Sequence, residues 1–427
     1  MMAKRWADAA RALDAADPLR PFRARFYRRE GEIYLDGNSL GLLSRDAEAS
    51  VLRVLDEWKT LGIEGWTGAD PPWFSFSETL SRSVAPLIGA DPGEVIVTGS
   101  TTVNLHQLLA TLYDPAAPIR KRILADELNF PSDIFALRSH LRLRGLNPDD
   151  YLIRVPSRDG RTLNEDDILA AMTGGDIQIV VLPSVVYTSG QLLDMERVTR
   201  AARERGILIG WDCSHSVGAV PHALSEWGAD FAFWCHYKYL NAGPGSVGGL
   251  YLNRRHFGKS PGLAGWFGSR KDRQFAMDHT MIPADGAGAM QIGTPHLLSL
   301  APLEGSLRIH HEAGMERLRA KSLALTAFLR ELTEAELAPF GVGVATPPEL
   351  QRRGGHLALI HPEALGISRA LRRAGVVPDF RPPDIVRFAP VPLYTSFADC
   401  VEAVHRLKTI LETQAFATDE EAAGLVT

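Results

Sequence analysis

Cysteine, net charge and long apolar runs are all scarce in this chain of 427 residues. Its three cysteines, Cys213, Cys235 and Cys400, are widely spaced and odd in number, which predicts no disulfide framework and a reducing compartment such as the cytoplasm. The net charge of −5 provides no basic field for nucleic acid or an anionic membrane. No apolar run approaches the roughly 20 residues that span a bilayer, and residues 1–20 carry three aspartates, unlike a targeting peptide. We therefore expect a cytoplasmic protein with neither nucleic acid nor a membrane as partner.

Short apolar runs that alternate with helical stretches indicate the fold class. The clearest runs are "EVIVTG" (94–99), "IQIVVLPS" (177–184), "ILIGWD" (207–212) and "ADFAFWCHY" (229–237). Strands that are apolar along their whole length are typical of a parallel sheet with both faces covered by helices. The sequence therefore predicts an α/β fold with a large, mainly parallel sheet.

The pattern changes near residue 300. A long helical stretch (about 299–336) leads to two further strands and two further helices, the last of which has Ser396 as its predicted N-cap. We expect an N-terminal segment (1–50) that packs on a small domain, a large domain (51–300), a smaller α+β domain (301–415) and a flexible tail (416–427).

Lys238 lies between the last of these apolar runs and a glycine-rich loop, "NAGPGSVGG". Ligands of open α/β sheets bind at the carboxyl ends of strands, and a desolvated amine there can act as a nucleophile. The alternative is a lysine that packs its stem on apolar surface and keeps its charge in water.

Asp212 ends the strand "ILIGWD", and His215 follows three residues later. A lysine and an aspartate at the ends of two strands suggest a pyridoxal phosphate site, where the lysine bonds to the aldehyde and the aspartate pairs with the ring nitrogen. A zinc site formed by Cys213, His215, Cys235 and His236 is the alternative, but its spacing fits no standard metal pattern, and we predict no metal.

Two further stretches offer groups for such a cofactor. In "VTGSTTVNLHQLLATLY", a helix begins near Thr101 and Thr102, whose hydroxyls and free N–H groups suit a phosphate. Plain N-capping is equally compatible with this stretch. "NFPSD" offers Phe130 as an aromatic face and Asp133 as an acceptor, although a buried Phe and a turn Asp are the simpler interpretation.

Arg387 interrupts the apolar run "DIVRFAPVP". Its planar guanidinium could hold the carboxylate of an amino acid through two parallel hydrogen bonds. An arginine on an edge strand that faces solvent is the alternative.

Together these stretches resemble the kynureninase family over about residues 30–410. The motifs that carry the resemblance are "YLDGNSLG", "FPSD", "DCSHSVGAVPHALSEWGADFAFWCHYKYLNAGPGSVGG", "GWFG", "RGGHLAL" and "RFAPVPLYTSF". The resemblance implies the fold-type I pyridoxal-phosphate-dependent transferase fold, and a homodimer with a shared active site. It also implies a hydrolase that cleaves the Cβ–Cγ bond of L-kynurenine to anthranilate and L-alanine.

The resemblance also assigns roles to individual residues. Lys238 matches the cofactor-bearing lysine and Asp212 the partner of the ring nitrogen, and we take Tyr237 as the candidate acid for the late proton. Further matches are the cofactor contacts Phe130, Asp133 and His215, the phosphate ligands Thr101, Thr102 and Tyr237, the neighbouring subunit's contacts Trp266 and Thr294, the carboxylate-binding Arg387, and Asn38 and Ser39 beside the substrate.

Ile63 and Thr294 resemble the bacterial members, which prefer L-kynurenine, rather than the animal ones, which prefer 3-hydroxykynurenine. A cysteine desulfurase of the same fold is an alternative, but it requires a cysteine on a mobile loop, whereas Cys400 lies on a predicted amphipathic helix. A non-catalytic pyridoxal-phosphate-binding module is the other alternative.

Overall fold

The computed structural model describes residues 2–416, so residues 417–427 of the predicted tail lie outside the described residues. Its α-helices are α1 (Met2–Ala16), α2 (Arg45–Leu61), α3 (Gly65–Gly68), α4 (Phe76–Val84), α5 (Thr101–Leu112), α6 (Pro131–Leu143), α7 (Pro148–Tyr151), α8 (Glu165–Ala171), α9 (Met195–Glu204), α10 (Leu224–Trp227), α11 (Leu297–Ala313), α12 (Met315–Glu336), α13 (Ala364–Arg373) and α14 (Phe397–Glu412). Its strands are β1 (Ile33–Tyr34), β2 (Val95–Val97), β3 (Arg122–Asp126), β4 (Leu152–Val155), β5 (Ile177–Pro183), β6 (Leu208–Asp212), β7 (Phe231–Trp234), β8 (Gly249–Leu252), β9 (Gly343–Val344), β10 (Leu357–Ile360), β11 (Val376–Val377), β12 (Asp379–Arg381) and β13 (Ile385–Phe388).

The large sheet has seven strands in the order β2-β8-β7-β6-β5-β3-β4. Only β8 runs against its neighbours, β2 and β7, so the other six strands point the same way. The predicted α/β architecture with a mainly parallel sheet is confirmed. Six carboxyl ends therefore meet at one edge.

Both faces of this sheet are buried, as its apolar strands require. Along β5, Val180 and Leu182 join one apolar cluster, whereas Ile179 and Val181 join the cluster on the opposite face. Because successive side chains of a strand point to opposite faces, an uninterrupted apolar run can fill two cores at once.

A second, four-stranded antiparallel sheet has the order β12-β13-β10-β9 and packs on helices α12, α13 and α14. The N-terminal segment joins this unit: Ala10 of α1 and Ile33 of β1 lie in its apolar cluster, and β1 pairs with β11 in parallel. Ser396 caps α14, since its hydroxyl accepts a hydrogen bond from the Asp399 N–H, as the sequence predicted.

The predicted long helix over 299–336 is two helices, because Gly314 between them adopts a φ of 76°. Leu300, Leu303 and Leu307 of α11 belong to the apolar cluster of the large sheet. This packing groups α11 with the large unit, and the domain limits of the sequence analysis stay a proposal. No helix of the described residues is both long and apolar enough to cross a bilayer.

Candidate active site

A cavity of about 490 Å³ opens at the carboxyl edge of the large sheet. The register places Asp212 of β6 beside Phe233 of β7, and Val97 of β2 and Trp234 of β7 both opposite Gly249 of β8. The residues that follow these strand ends therefore converge. The cavity is lined by Asn38, Ser39, Ser100, Thr101, Thr102, Phe130, Ser132, Asp133, Pro183, Val185, Tyr187, Asp212, Ser214, His215, Tyr237, Lys238, Arg381 and Arg387.

Lys238 enters this cavity from the loop after β7. Its ammonium nitrogen lies 6.0 Å from the ring centroid of Phe130 and 5.9 Å from that of Tyr237. The loop is fixed by local hydrogen bonds: the Asn241 N–H donates to the Lys238 carbonyl at 2.9 Å, and the Gly41 N–H donates to the Tyr237 carbonyl at 2.7 Å. A side chain on Gly41 would collide with the Lys238 carbonyl, so this glycine lets the "GNSLG" segment approach the lysine.

Asp212 is buried at the end of β6 and lines the cavity. Its Oδ1 accepts a hydrogen bond from the Ser214 N–H at 2.8 Å. Burial raises the pKa of this carboxyl, and the charge of Lys238 opposes the shift. Burial likewise raises the pKa of Asp133 well above its usual value and that of Asp126, at the end of β3, to about 7. Asp212 and Asp133 line the cavity, and a cationic ligand beside them would favour the ionised form of their carboxyl groups.

His215 lines the same cavity, and burial holds the pKa of its imidazole well below the usual value, so the ring is neutral. His236 points elsewhere: its Nδ1 bonds the Val247 carbonyl at 2.5 Å and its Nε2 accepts from the Trp234 indole at 2.9 Å. Among residues 2–416, no group of three or more His, Cys, Asp or Glu side chains could hold a metal ion.

The start of α5 forms another wall of the cavity, through Ser100, Thr101 and Thr102. Ser100 is the N-cap residue, yet its side chain makes no capping hydrogen bond. The Thr102 hydroxyl lies 2.6 Å from the Ser132 hydroxyl at the start of α6. A side chain on Gly248 would approach the Thr101 nitrogen to 3.1 Å, so the glycine leaves this helix start accessible. Hydroxyls and unpaired N–H groups at a helix N-terminus form a phosphate-binding wall.

Arg387 closes the cavity from the small sheet. It is 1% exposed and pairs through Nε with the Asp379 carboxylate. Its Nη1 donates to the Tyr187 carbonyl at 2.7 Å, and its Nη2 donates to the Ser39 hydroxyl at 3.3 Å. The alternative of a solvent-facing edge arginine does not hold, because β13 is an inner strand.

Eleven of the predicted site residues line this cavity: Asn38, Ser39, Thr101, Thr102, Phe130, Asp133, Asp212, His215, Tyr237, Lys238 and Arg387. Trp266 and Thr294 do not; Trp266 is 45% exposed and Thr294 is also exposed. That distribution is compatible with their predicted role toward a neighbouring subunit.

Sequence reasoning missed several lining residues, of which Tyr187 and Arg381 are the largest. Tyr187 follows β5, so the strand-end rule could have found it. Arg381 lies on β12, six residues before Arg387, and only the hairpin geometry brings the two together.

The residues present fit pyridoxal phosphate. Asn38, Asp133, Ser214 and His215 carry buried polar atoms with no partner among the described residues, and all four line the cavity. Buried polar atoms are normally satisfied, so a polar molecule is expected between them. The hydroxyl wall suits its phosphate, Asp212 suits a cationic ring nitrogen, and Lys238 suits its aldehyde.

Comparisons with known proteins agree with this geometry. The family model described as Aminotransferase class-V matches residues 73–347, and that described as Kynureninase C-terminal domain matches residues 318–407. The chain is 57% identical to the kynureninase of Bacillus anthracis over 413 residues, which covers 97% of this chain and 96% of that protein. It is also 57% identical to the kynureninase of Geobacillus thermodenitrificans over 407 residues, with 95% of each chain covered.

Solved structures with the same fold include the cystine C–S lyase C-DES, with a TM-score of 0.77, 18% identity and coverage of 89% of this chain and 98% of that one. The cysteine desulfurase CsdA of Escherichia coli superposes with a TM-score of 0.75 at 16% identity, over 92% of this chain and 98% of that one. At such identities the likeness shows the fold-type I architecture alone. The full-length relatives are decisive, and this chain belongs to the kynureninase family.

Proposed function

We propose that this chain hydrolyses L-kynurenine to anthranilate and L-alanine in a pyridoxal-phosphate-dependent reaction. One observation carries the proposal: Lys238 and Arg387 face a single cavity that Asp212 also lines, in a chain 57% identical to kynureninases over nearly its full length. An amine, a carboxylate partner and a carboxylate-binding arginine in one site are what cleavage of an amino acid on this cofactor requires. 3-Hydroxy-L-kynurenine is an expected second substrate.

We assign the cofactor to the walls described above. Thr101, Thr102 and Tyr237 would hold the phosphate, and Phe130 and His215 would lie beside the ring. Asp212 and Asp133 would meet its polar edge, where the Asp212 carboxylate would favour a protonated ring nitrogen. When bound, pyridoxal phosphate supplies an electron sink that stabilises negative charge on the substrate carbons.

Lys238 and Tyr237 move the protons of the reaction. Lys238 Nζ accepts the proton from the substrate's α carbon, since no other amine lines the cavity among the described residues. Water then adds to the aryl ketone carbon, the Cβ–Cγ bond breaks, and that carbon leaves as the carboxyl of anthranilate. Tyr237 protonates Cβ of the remaining three-carbon fragment, and Lys238 returns its proton to the α carbon, which gives alanine. The adjacent Cys235, with burial, raises the pKa of Tyr237, so the phenol keeps its proton at neutral pH.

Arg387 binds the substrate's α-carboxylate, and Asn38 and Ser39 border the remainder of the substrate. The Ser39 hydroxyl already lies 3.3 Å from Arg387 Nη2. The Asn38 side chain is fully buried, and its amide atoms have no partner among the described residues. It is therefore available to a polar group of the substrate.

We also propose a cytoplasmic homodimer in which Trp266 and Thr294 complete the neighbouring subunit's site. Their exposure in one chain supports this, as does an apolar surface hollow lined by Trp58, Ile63 and Leu298 among others. Cys213, Cys235 and Cys400 are all free thiols, which suits a reducing compartment.

A cysteine desulfurase activity is not favoured. It needs an accessible catalytic cysteine, whereas Cys400 is fully buried within α14 and burial raises the pKa of its thiol. Cys213 and Cys235 are buried as well.

The experiment is to mix the purified protein with pyridoxal phosphate and L-kynurenine and to follow anthranilate by its fluorescence. We expect turnover by the wild type, none by Lys238→Ala, and normal turnover by the control Lys259→Ala, whose side chain is exposed. Mass spectrometry after borohydride reduction should locate the cofactor on Lys238. A wild type that bound the cofactor but released no anthranilate would refute the proposed substrate.

A further inference from the structure

Asp379 is a buried carboxylate to which the mechanism above gives no part. It is 0% exposed and lies on β12 directly opposite Arg387 of β13. Its Oδ2 accepts a hydrogen bond from Nε of Arg387 and a second, at 2.9 Å, from Nε of Arg381. One carboxylate oxygen therefore holds two guanidinium groups.

This arrangement determines which side of each arginine meets the cavity. Asp379 contacts both Nε and Nη2 of Arg387. Nη1 then extends to the Tyr187 carbonyl and Nη2 also reaches the Ser39 hydroxyl, and both Tyr187 and Ser39 line the cavity. Arg381 also lines it, with its guanidinium carbon 5.9 Å from the Tyr187 ring centroid. Asp379 itself does not reach the cavity surface.

The local charge favours an anion. The single carboxylate of Asp379 faces the guanidinium groups of both Arg381 and Arg387. Two guanidinium groups and one carboxylate leave a net charge of +1 when all are ionised. A substrate carboxylate at the terminal nitrogens of Arg387 and Arg381 would balance it, and charge-assisted bonds of this kind are strong in a buried site.

We propose that Asp379 is a positioning residue that orients Arg387 and Arg381 together as a two-arginine receptor for the substrate's α-carboxylate. This rests on the proposed function of Arg387. Without the Asp379 charge, both guanidinium groups would remain in the protein but lose the common anchor that fixes their direction. The consequence is specific to ligands that carry a carboxylate.

The test measures the binding of two unreactive ligands to the holoenzyme by calorimetry. Deaminokynurenine, here the analogue without the α-amino group (4-(2-aminophenyl)-4-oxobutanoate), keeps the substrate's carboxylate. Ortho-aminopropiophenone lacks the carboxylate as well. Neither ligand therefore carries the α-amino group that reacts with the cofactor. For Asp379→Asn we expect the Kd of deaminokynurenine to rise at least about tenfold, while that of ortho-aminopropiophenone changes less than about twofold. Asp379→Glu, which keeps the charge but moves it by one methylene, should show the same selectivity to a smaller degree.

Asp384→Asn is the matched control, because Asp384 lies in the turn of the same hairpin and pairs with Arg161 outside the cavity. It should leave both Kd values unchanged. Equal weakening of both ligands by the Asp379 variants would overturn the proposal and leave Asp379 a purely structural residue, as would unchanged binding of both. If Asp379→Asn does not fold, Asp379→Glu decides between the same outcomes. A wild type that bound both ligands equally well would instead refute the proposed role of Arg387.

Discussion

Replacement of Arg387 by lysine tests the substrate-binding end of the site. Lysine keeps the positive charge but has one nitrogen in place of three. It cannot donate hydrogen bonds to Asp379, Tyr187 and Ser39 and also form two parallel hydrogen bonds with a carboxylate. The loss of one charge-assisted hydrogen bond costs about 1.5–3 kcal/mol, which corresponds to about a 10- to 150-fold decrease in kcat/KM.

The assay is steady-state anthranilate release over a range of L-kynurenine concentrations. We expect most of the loss to appear as a higher KM, because the carboxylate is bound both before and during the reaction. The cofactor absorbance should be unchanged, since Arg387 lies on the small sheet and contacts none of the phosphate-binding hydroxyls. Arg161→Lys, which alters the partly buried ion pair with Asp384 outside the cavity, is the control and should retain normal kinetics. A kcat/KM of Arg387→Lys within about threefold of wild type would reject the role of the guanidinium.

Three further changes probe other parts of the site. Tyr237→Phe should lower kcat on the order of 100-fold or more through the loss of a proton donor, while the cofactor still binds; unchanged kcat would remove Tyr237 from the chemistry. Burial raises the pKa of Asp126 to about 7, so its carboxyl group binds a proton more tightly in the folded chain than in the unfolded chain. The folded chain therefore loses stability as the pH rises toward and through 7. In the cofactor-free protein, Asp126→Asn should therefore be more stable than wild type at pH 8 but not near pH 4, by up to about 4 kcal/mol in urea titrations; parallel stability curves would contradict this. Mixed dimers of Lys238→Ala and Trp266→Ala should regain about a quarter of wild-type activity if each site uses both subunits, whereas mixtures with no gain would place Trp266 outside the neighbour's site.

The sequence was sufficient to predict the site residues that follow strands of the large sheet. Asp212 and Lys238 each follow an apolar run, and the carboxyl ends of parallel strands meet at one edge, so their proximity follows from the fold class alone. The two antiparallel pairings of β8 keep β2 aligned with the parallel strands, which is why Thr101 and Thr102 reach the same edge.

The contacts of the small sheet could not be predicted in this way. Asp379 faces Arg387 because of the register of the β12–β13 hairpin, and a shift of one residue would send Asp379 to the other face. The break between α11 and α12 was also missed, because the helical pattern continues through Gly314 and only its positive φ separates the helices. Both features depend on tertiary packing rather than on local preference.

The most direct test of the proposed activity compares two substrates. The purified protein with pyridoxal phosphate is given L-kynurenine in one reaction and L-cysteine in another, and anthranilate, alanine and sulfane sulfur are quantified. Alanine alone does not discriminate, since a cysteine desulfurase forms it as well. The site described here predicts anthranilate and L-alanine in equal amounts from L-kynurenine, and no sulfane sulfur from L-cysteine. Sulfane sulfur from L-cysteine without anthranilate from L-kynurenine would contradict it.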